Sequence, residues 1–267
     1  MPPRPRKRFG QHFLHDPAVI ERIIEAVAVG DGIPVVEIGP GLGALTVPML
    51  QRTAGLDVVE IDRDLAAQLE QKCRGLGKLQ IHVGDALQFD YRGLHGSKIR
   101  IVGNLPYNIS TPLLFHLLDQ VDCIHEMIFM MQKEIVDRIC AQSGSRDYGR
   151  LSVMVQARCH TEKIMNIGPG AFTPEPRVRS SLLKLIPDPG YYSMIRDSSL
   201  FADIVRHAFN QRRKTLRNSL KVFLGNPDFE RLGLAPGARA ETLGVKNYIE
   251  ISNYLAAATP VVDKPVD

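Results

Sequence analysis

Asn104-Leu105-Pro106-Tyr107 sets a carboxamide, a backbone carbonyl, a proline and a phenol ring side by side, directly after the β-branched run Ile99 to Val102. These residue types in this order suit one reaction. The exocyclic amine of an adenine ring is a poor nucleophile because its lone pair is delocalised into the ring, so acceptors must hold its hydrogens while the lone pair is aimed at an electrophile. The Asn104 side-chain oxygen and the Leu105 carbonyl are the two candidate acceptors, and Pro106 fixes the loop without adding an N–H. Tyr107 offers a stacking platform, worth roughly 1 to 3 kcal/mol per base, which helps hold a nucleotide taken out of its stack. A methyl group carried on a sulfonium is already activated, so the chemistry requires no general acid or base.

A second group of residues is suited to holding an adenosine cofactor. Glu37-Ile38-Gly39-Pro40-Gly41-Leu42-Gly43-Ala44 follows the run Val35 to Ile38. Glycines at such a turn let backbone and ligand approach closely and let the chain enter a helix whose N-terminal amides face the ligand. Val58-Val59-Glu60-Ile61-Asp62 then places a carboxylate about 20 residues on, where it can accept hydrogen bonds from both ribose hydroxyls. These turns fit any adenosine cofactor, and both NAD and S-adenosylmethionine remain open on them. Gly84-Asp85-Ala86 adds a carboxylate suited to an adenine amine, although Gly-Asp is also ordinary turn chemistry.

Elements must bring these turns to one place. Val35 to Ile38, Asp57 to Ile61, Leu79 to Val83, Ile99 to Val102 and Met127 to Met131 read as strands. Helical spacing lies between them, as at Leu65, Leu69 and Cys73, and from Thr111 to Leu118 with Pro112 in the first turn. The alternation predicts an α/β fold of parallel βαβ units, in which ligands bind at the carboxyl ends of the strands. Leu151 to Ala157 and Ser181 to Ile186 read as two further extended runs, a hairpin-like addition around the Gly- and Pro-rich stretch from Gly168 to Pro176. After Pro187-Asp188-Pro189-Gly190 the pattern is helical from Leu200 to Phe223 and from Asn247 to Leu255. The expected domains are therefore 1–190, carrying the cofactor and catalytic turns, and 191–267, with a tail from Thr259 to Asp267.

Composition narrows the classes. The 267 residues carry 33 Lys and Arg against 29 Asp and Glu, with a pI near 8.9, so the distribution of charge matters more than its total. Arg4, Arg6, Lys7 and Arg8 form one basic group. Arg206, Arg212, Arg213, Lys214, Arg217 and Lys221 form another with no acid between its ends. By default either is a solvated face. Cys73, Cys123, Cys140 and Cys159 include no C-x-x-C pair, and His125-Glu126 lacks the second histidine of a zinc motif because residue 129 is Phe, so no metal is expected. No apolar run is long enough for a membrane span and no secretion signal stands at the N-terminus, which predicts a cytoplasmic protein.

Taken together, the motifs resemble one family, the ribosomal RNA adenine N6,N6-dimethyltransferases of the bacterial kasugamycin-sensitivity type. Arg8-Phe9-Gly10-Gln11-His12-Phe13-Leu14 resembles the N-terminal signature, Glu37 to Gly41 the cofactor loop and Asn104 to Tyr107 the N-L-P-Y motif. Ala171-Phe172-Thr173-Pro174-Glu175-Pro176-Arg177-Val178-Arg179-Ser180 resembles a later motif whose Phe sandwiches the target base opposite the tyrosine. Phe209-Asn210-Gln211-Arg212-Arg213-Lys214-Thr215-Leu216 resembles the basic stretch of a small helical C-terminal domain. The resemblance implies a Rossmann-like seven-stranded S-adenosylmethionine-dependent methyltransferase sheet with an all-helical C-terminal domain. It implies cofactor contacts from His12, Leu14, Gly39, Gly41, Glu60, Asp85 and Asn104, with His12 at a position where relatives carry Asn or His. It makes Phe172 a stacking residue and turns the Arg206 to Lys221 set into a phosphate-contacting surface, one face of a helix with Arg206, Arg213 and Arg217 together. The implied substrate is a pair of adjacent adenosines near the 3′ end of 16S rRNA, each methylated twice, within the assembling 30S subunit, by a protein expected to be a monomer. The signature beginning by Arg8 leaves no room for a transit peptide, which disfavours the organellar relatives.

Three other functions compete. A macrolide-resistance methyltransferase acting on 23S rRNA shares the cofactor turns, but Leu105, where those enzymes usually carry Ile, and the Phe209 to Leu216 stretch favour the small-subunit enzyme. A non-catalytic RNA-binding assembly factor on the same fold is opposed by the intact Asn104, Tyr107 and Phe172. An NAD-dependent oxidoreductase lacks any residue pattern for hydride transfer.

Overall fold

The computed structural model describes residues 12–211 and 213–258. In chain order the strands are β1 (Phe13–Leu14), β2 (Val35–Ile38), β3 (Gly55–Glu60), β4 (Lys78–Val83), β5 (Ile99–Asn104), β6 (Ile124–Gln132), β7 (Cys159–Ile167), β8 (Phe172–Thr173) and β9 (Ser180–Pro187). The helices are α1 (Pro17–Val27), α2 (Thr46–Leu50), α3 (Arg63–Cys73), α4 (Ser110–Leu118), α5 (Lys133–Ile139), α6 (Arg150–Gln156), α7 (Pro189–Tyr192), α8 (Ser198–Asn210), α9 (Leu216–Ser219), α10 (Asn226–Arg231) and α11 (Val245–Ala258). Seven strands make one sheet in the order β4-β3-β2-β5-β6-β9-β7, and β1 pairs with β8 in a separate two-stranded ribbon.

β4, β3, β2, β5 and β6 are mutually parallel, and β9 joins β6 antiparallel. β2 is buried along its whole length, as a parallel strand covered on both faces must be, which is why it reads as a continuous apolar run rather than an alternation. Register aligns the carboxyl ends: Ile38 lies opposite Val59 and Gly103, Glu60 opposite Val83, and Asn104 opposite Met130. The predicted parallel arrangement is therefore what places the three turns and the Asn104 loop along one edge.

At the amino ends of the same strands an ionic cluster around the buried Arg100 and Glu126 ties the sheet together. Arg100 of β5 makes paired hydrogen bonds to Asp31 at 3.0 and 2.7 Å and pairs with Glu126 of β6, while Lys184 of β9 reaches Glu126 at 2.6 Å. Burial works to raise the Glu126 carboxyl, but hydrogen bonds from Lys184 and Arg100 outweigh it and hold the group below its ordinary range. On β2, Glu37 is buried and accepts a 2.6 Å hydrogen bond from Thr46 Oγ1. Burial pushes its carboxyl up to about 8, with the nearby Glu60 charge acting the same way and the Thr46 bond opposing.

The chain divides into two compact units, one formed by the chain up to Val136 with His160–Pro187, the other by Asp137–Cys159 with the chain from Asp188 onward. This differs from the expected 1–190 and 191–267, because the segment before β7 belongs to the second unit. There α6 packs on α8, the Tyr148 ring meets Phe209 at 6.1 Å, and Phe209 in turn meets Tyr248 at 5.7 Å. The extended run expected over Leu151 to Ala157 is a correction of the same kind: it is α6, with Ser152, Val153, Met154 and Val155 all buried. A short run dominated by Leu, Val and Met imitates a core strand, and periodicity alone does not separate the two. The strand beside β9 is instead β7, whose His160, Glu162 and Lys163 mark an outer, half-solvated position. The continuous helix expected from Leu200 to Phe223 is also corrected, since α8 stops at Asn210 and Arg213 lies in the turn before α9.

Two outcomes follow. Arg100→Ala leaves Glu126 buried with half its compensation removed and is expected to cost about 3 to 5 kcal/mol of stability, read from the urea midpoint. Glu37 holds a proton in the folded state that the unfolded chain releases near the ordinary Glu value, so stability declines as pH rises from about 4.5 towards 8. Glu37→Gln removes that decline, and the stability of Glu37→Gln relative to the unsubstituted protein is expected to grow with pH across this window, by a few kcal/mol in order of magnitude.

Candidate active site

A cavity of about 220 Å³ opens at the carboxyl edge of the sheet, bounded by the loops after β2, β3, β4 and β5 and by β1 and Phe172. After β2, Gly39 and Gly41 adopt φ of +66° and +54°, the left-handed region that a side chain resists, and a Cβ at Gly39 would meet nothing within 4 Å. The backbone itself thus forms that wall. After β3, Glu60 is buried: its Oε1 accepts from the Asp62 N–H at 2.9 Å and its Oε2 from the Gly41 N–H at 3.3 Å. These bonds aim the carboxylate across the glycine turn, while burial drives its carboxyl above the usual range. After β4, Asp85 is half-buried and accepts from the Leu87 N–H at 2.9 Å.

The loop after β5 is fastened at Asn104, Leu105, Pro106 and Tyr107. The Leu105 N–H donates to the Met130 carbonyl at 3.1 Å, and the Pro106 carbonyl accepts from Ile109 and Ser110 at the start of α4, so the Leu105 carbonyl is the one left between these two fastenings. Asn104 Nδ2 donates to the His12 carbonyl at 3.0 Å. Only the nitrogen end of a carboxamide can make that bond, so the His12 backbone decides which way the amide faces, and the oxygen is the atom available to a ligand. The Tyr107 phenol lies 3.1 Å from Ser180 Oγ, and the His12 ring stands beside the Tyr107 ring at 5.7 Å with the planes tilted by 32°.

Of the residues singled out from sequence, His12, Leu14, Gly39, Gly41, Glu60, Asp85, Asn104, Leu105, Pro106, Tyr107 and Phe172 all border this cavity. Phe172 needs a qualification: it is 2% exposed and packs in the apolar core with Leu14, so it is a core residue as well as a wall residue. The basic set lies elsewhere, in the helical unit. Arg206, Arg213, Lys214, Arg217 and Lys221 are exposed, and Arg206 is paired with Asp203 at 2.8 Å. Arg212, the Arg4 to Arg8 group, the signature residues before His12 and the tail from Thr259 fall outside the described residues. Cys73 and Cys159 are buried and Cys123 and Cys140 half-buried, all as free thiols. Among the described residues no His, Cys, Asp and Glu grouping could hold a metal, and no helix is long and apolar enough to cross a membrane.

The structure adds residues that sequence reasoning passed over. Ile61, directly after Glu60, is 50% exposed in the cavity wall, an apolar surface beside the ribose-type carboxylate. Arg239, exposed and distant in sequence, is brought to the basic set by the isolated bridge between Thr215 and Arg239. Ser180 touches Tyr107. The only available signal was for Ile61, a large apolar residue following a functional acid.

This donor set fits S-adenosylmethionine. A buried carboxylate for ribose hydroxyls, an apolar surface and an acid for the adenine ring, and a glycine wall near the Asn104 oxygen form one continuous cavity. Comparisons with known proteins agree with that reading. The profile of the family described as ribosomal RNA adenine dimethylase matches residues 3–257. The chain is 51% identical over 257 residues to Ribosomal RNA small subunit methyltransferase A of Aromatoleum aromaticum, covering 96% of each chain. It is 49% identical over 255 residues to the protein of that name from Pseudomonas aeruginosa, covering 95% of each. Among solved structures, a dimethyladenosine transferase from Plasmodium falciparum superposes with a TM-score of 0.81 at 24% identity, covering 92% of this chain and 98% of that one. The 23S rRNA methyltransferase ErmE does so with 0.70 at 23% identity, covering 91% and 99%, and at these identities both show the shared fold. A match that runs through the cofactor turns, the Asn104 loop and the helical unit alike leaves one assignment: the chain belongs to the ribosomal RNA adenine dimethylase family.

Proposed function

We propose that this protein transfers methyl groups from S-adenosylmethionine to the N6 amines of two adjacent adenosines near the 3′ end of 16S rRNA, each twice, acting as a cytoplasmic monomer on the assembling 30S subunit. The observation that carries the reading is the Asn104 carboxamide, turned by the His12 carbonyl so that its oxygen is free to accept at the end of the adenosine-type cavity. Similarity near 50% to proteins named Ribosomal RNA small subunit methyltransferase A supports the choice of RNA.

S-adenosylmethionine, when bound, supplies an activated methyl group. The chain's own residues do the rest. Glu60 receives the ribose hydroxyls, Ile61 and Asp85 take the adenine ring of the cofactor, and Gly39 and Gly41 let the backbone come close. His12 and Leu14 complete that wall from β1. The Asn104 oxygen and the Leu105 carbonyl accept the two hydrogens of the target amine and hold its lone pair towards the methyl group, while Pro106 keeps the loop in place. Tyr107 stacks on the target base, and Phe172 forms the opposing surface once part of its ring is uncovered. Proton loss from the alkylated amine goes to a carbonyl acceptor or to water, so no titrating residue is needed. Arg206, Arg213, Lys214, Arg217, Lys221 and Arg239 hold the RNA by its phosphates, and Arg212, named from the sequence, is part of the same proposed set.

Asn104→Ala is expected to reduce methyl transfer at least about a hundredfold, in line with the loss of a preorganised polar group, while RNA affinity stays within a few-fold. Radiolabelled methyl incorporation into small subunits measures the first and filter binding the second; unchanged turnover would remove the loop from the mechanism. Transfer to naked 23S rRNA and not to small subunits would overturn the substrate. Replacing Arg213 or Arg217 by Ala is expected to weaken binding uniformly across RNA sequences and to reduce the slope of log affinity against log salt by about 1.

A further inference from the structure

Tyr107 rides on a loop, yet its polar tip is carried inward. The phenol meets Ser180 Oγ at 3.1 Å, and Ser180 is 1% exposed. Ser180 opens β9 and lies opposite Gln132 of β6, so the sheet ladder fixes where its hydroxyl stands. The Lys133 N–H, donating to the Arg179 carbonyl at 2.9 Å, secures the same corner. The other end of the 172–180 segment is fastened as well: Leu14 pairs with Phe172, Phe13 pairs with Thr173, and His12 Nδ1 lies 2.7 Å from the Pro174 carbonyl. The His12 ring then flanks Tyr107. A loop-borne aromatic is thus held at its tip by a hydroxyl on a rigid strand, with its body left to line the cavity. The next residue makes a contrast. Successive residues of a strand face opposite sides of the sheet, and Ser181, equally buried, donates from Oγ to Asn166 Oδ1 at 2.8 Å.

We infer that Ser180 is a positioning residue for methyl transfer, its buried hydroxyl holding the Tyr107 phenol so that the ring presents a fixed face to the target base. The inference rests on the stacking role proposed for Tyr107. A ring free to tilt must be ordered each time a base arrives, whereas a ring already held loses little freedom on stacking, so more of the contact serves to place the amine against its acceptors.

The test uses the full chain with Ser180→Ala, Ser180→Thr, Ser181→Ala, Tyr107→Phe and the double variant of Ser180→Ala with Tyr107→Phe. Ser180→Ala is expected to lower kcat about three- to tenfold, the worth of one neutral hydrogen bond, with affinity for S-adenosylhomocysteine unchanged. Ser180→Thr restores most of the rate, and Ser181→Ala, which also removes a buried hydroxyl, does not reproduce the loss. In the Tyr107→Phe background Ser180→Ala produces no further loss, because both changes break the same bond. Fluorine NMR of protein labelled with 3-fluorotyrosine, with the residue 107 signal identified as the one missing from Tyr107→Phe, reads the contact in the free protein. That signal is expected to move in Ser180→Ala and to return towards its original position in Ser180→Thr. A signal that ignores Ser180→Ala denies the contact, and additive losses in the double variant deny positioning through Tyr107. Absence of methyl transfer by the unsubstituted protein would overturn the function and the positioning role together, while the fluorine spectrum scores the contact separately.

Discussion

Parallel pairing of β2, β3, β4 and β5 in matched register is the constraint from which the site follows. Parallel strands send their carboxyl ends to one edge, and the register here brings Ile38, Glu60, Val83 and Asn104 into line. Every turn that leaves this edge is therefore a neighbour of the others, although the turns are spread from residue 39 to residue 108. The opposite edge has a different task. Arg100, Glu126, Lys184 and Asp31 satisfy one another there, so the strands that present Asn104 at one end are locked at the other. Charge is paired where the sheet must not move, and polar acceptors are left available where a ligand must bind.

Backbone groups, more than side chains, orient the Asn104 loop. The His12 carbonyl turns the Asn104 amide, the Met130 carbonyl receives Leu105, and the Pro106 carbonyl starts α4. Such fastenings depend on the path of the chain and tolerate changes of side chain at the residues that supply them. Chemically, a site of this design suits repeated use. On the proposed reading, two acceptors match the two hydrogens of an unmodified amine; after one transfer a single N–H remains, which one acceptor holds while the other leaves room for the methyl group. In the proposed role the loop works through neutral carbonyl acceptors, so it has no ionisable side chain to reset between transfers.

The amino-acid sequence by itself determined the reaction type, the parallel α/β architecture and the candidate polar and aromatic residues that border the cavity. These were legible because they are local: an Asn-Leu-Pro-Tyr run, a glycine turn after an apolar run and an acid at the end of the next strand each carry their meaning in adjacent residues, and strand polarity does the rest. Tertiary structure decided what depends on residues far apart in the chain. Nothing near Asn104 says that the His12 carbonyl, 92 positions away, turns its amide, or that Ser180 holds Tyr107. Leu151 to Ala157 looked extended because β-branched residues buried on all sides have the same appearance in a helix and in a core strand, and only packing of α6 on α8 separates them. Phe172, a core residue by its type and a stacking residue by resemblance, is buried in the core and borders the cavity at once, which only the packing shows. Arg239 joins the basic surface through its bridge to Thr215 and the hydrogen bonds from Leu216 and Arg217 to the Ala238 and Pro236 carbonyls. Local order is written in covalent neighbours, whereas orientation, burial and the pooling of distant charges belong to the energy of the folded chain as a whole.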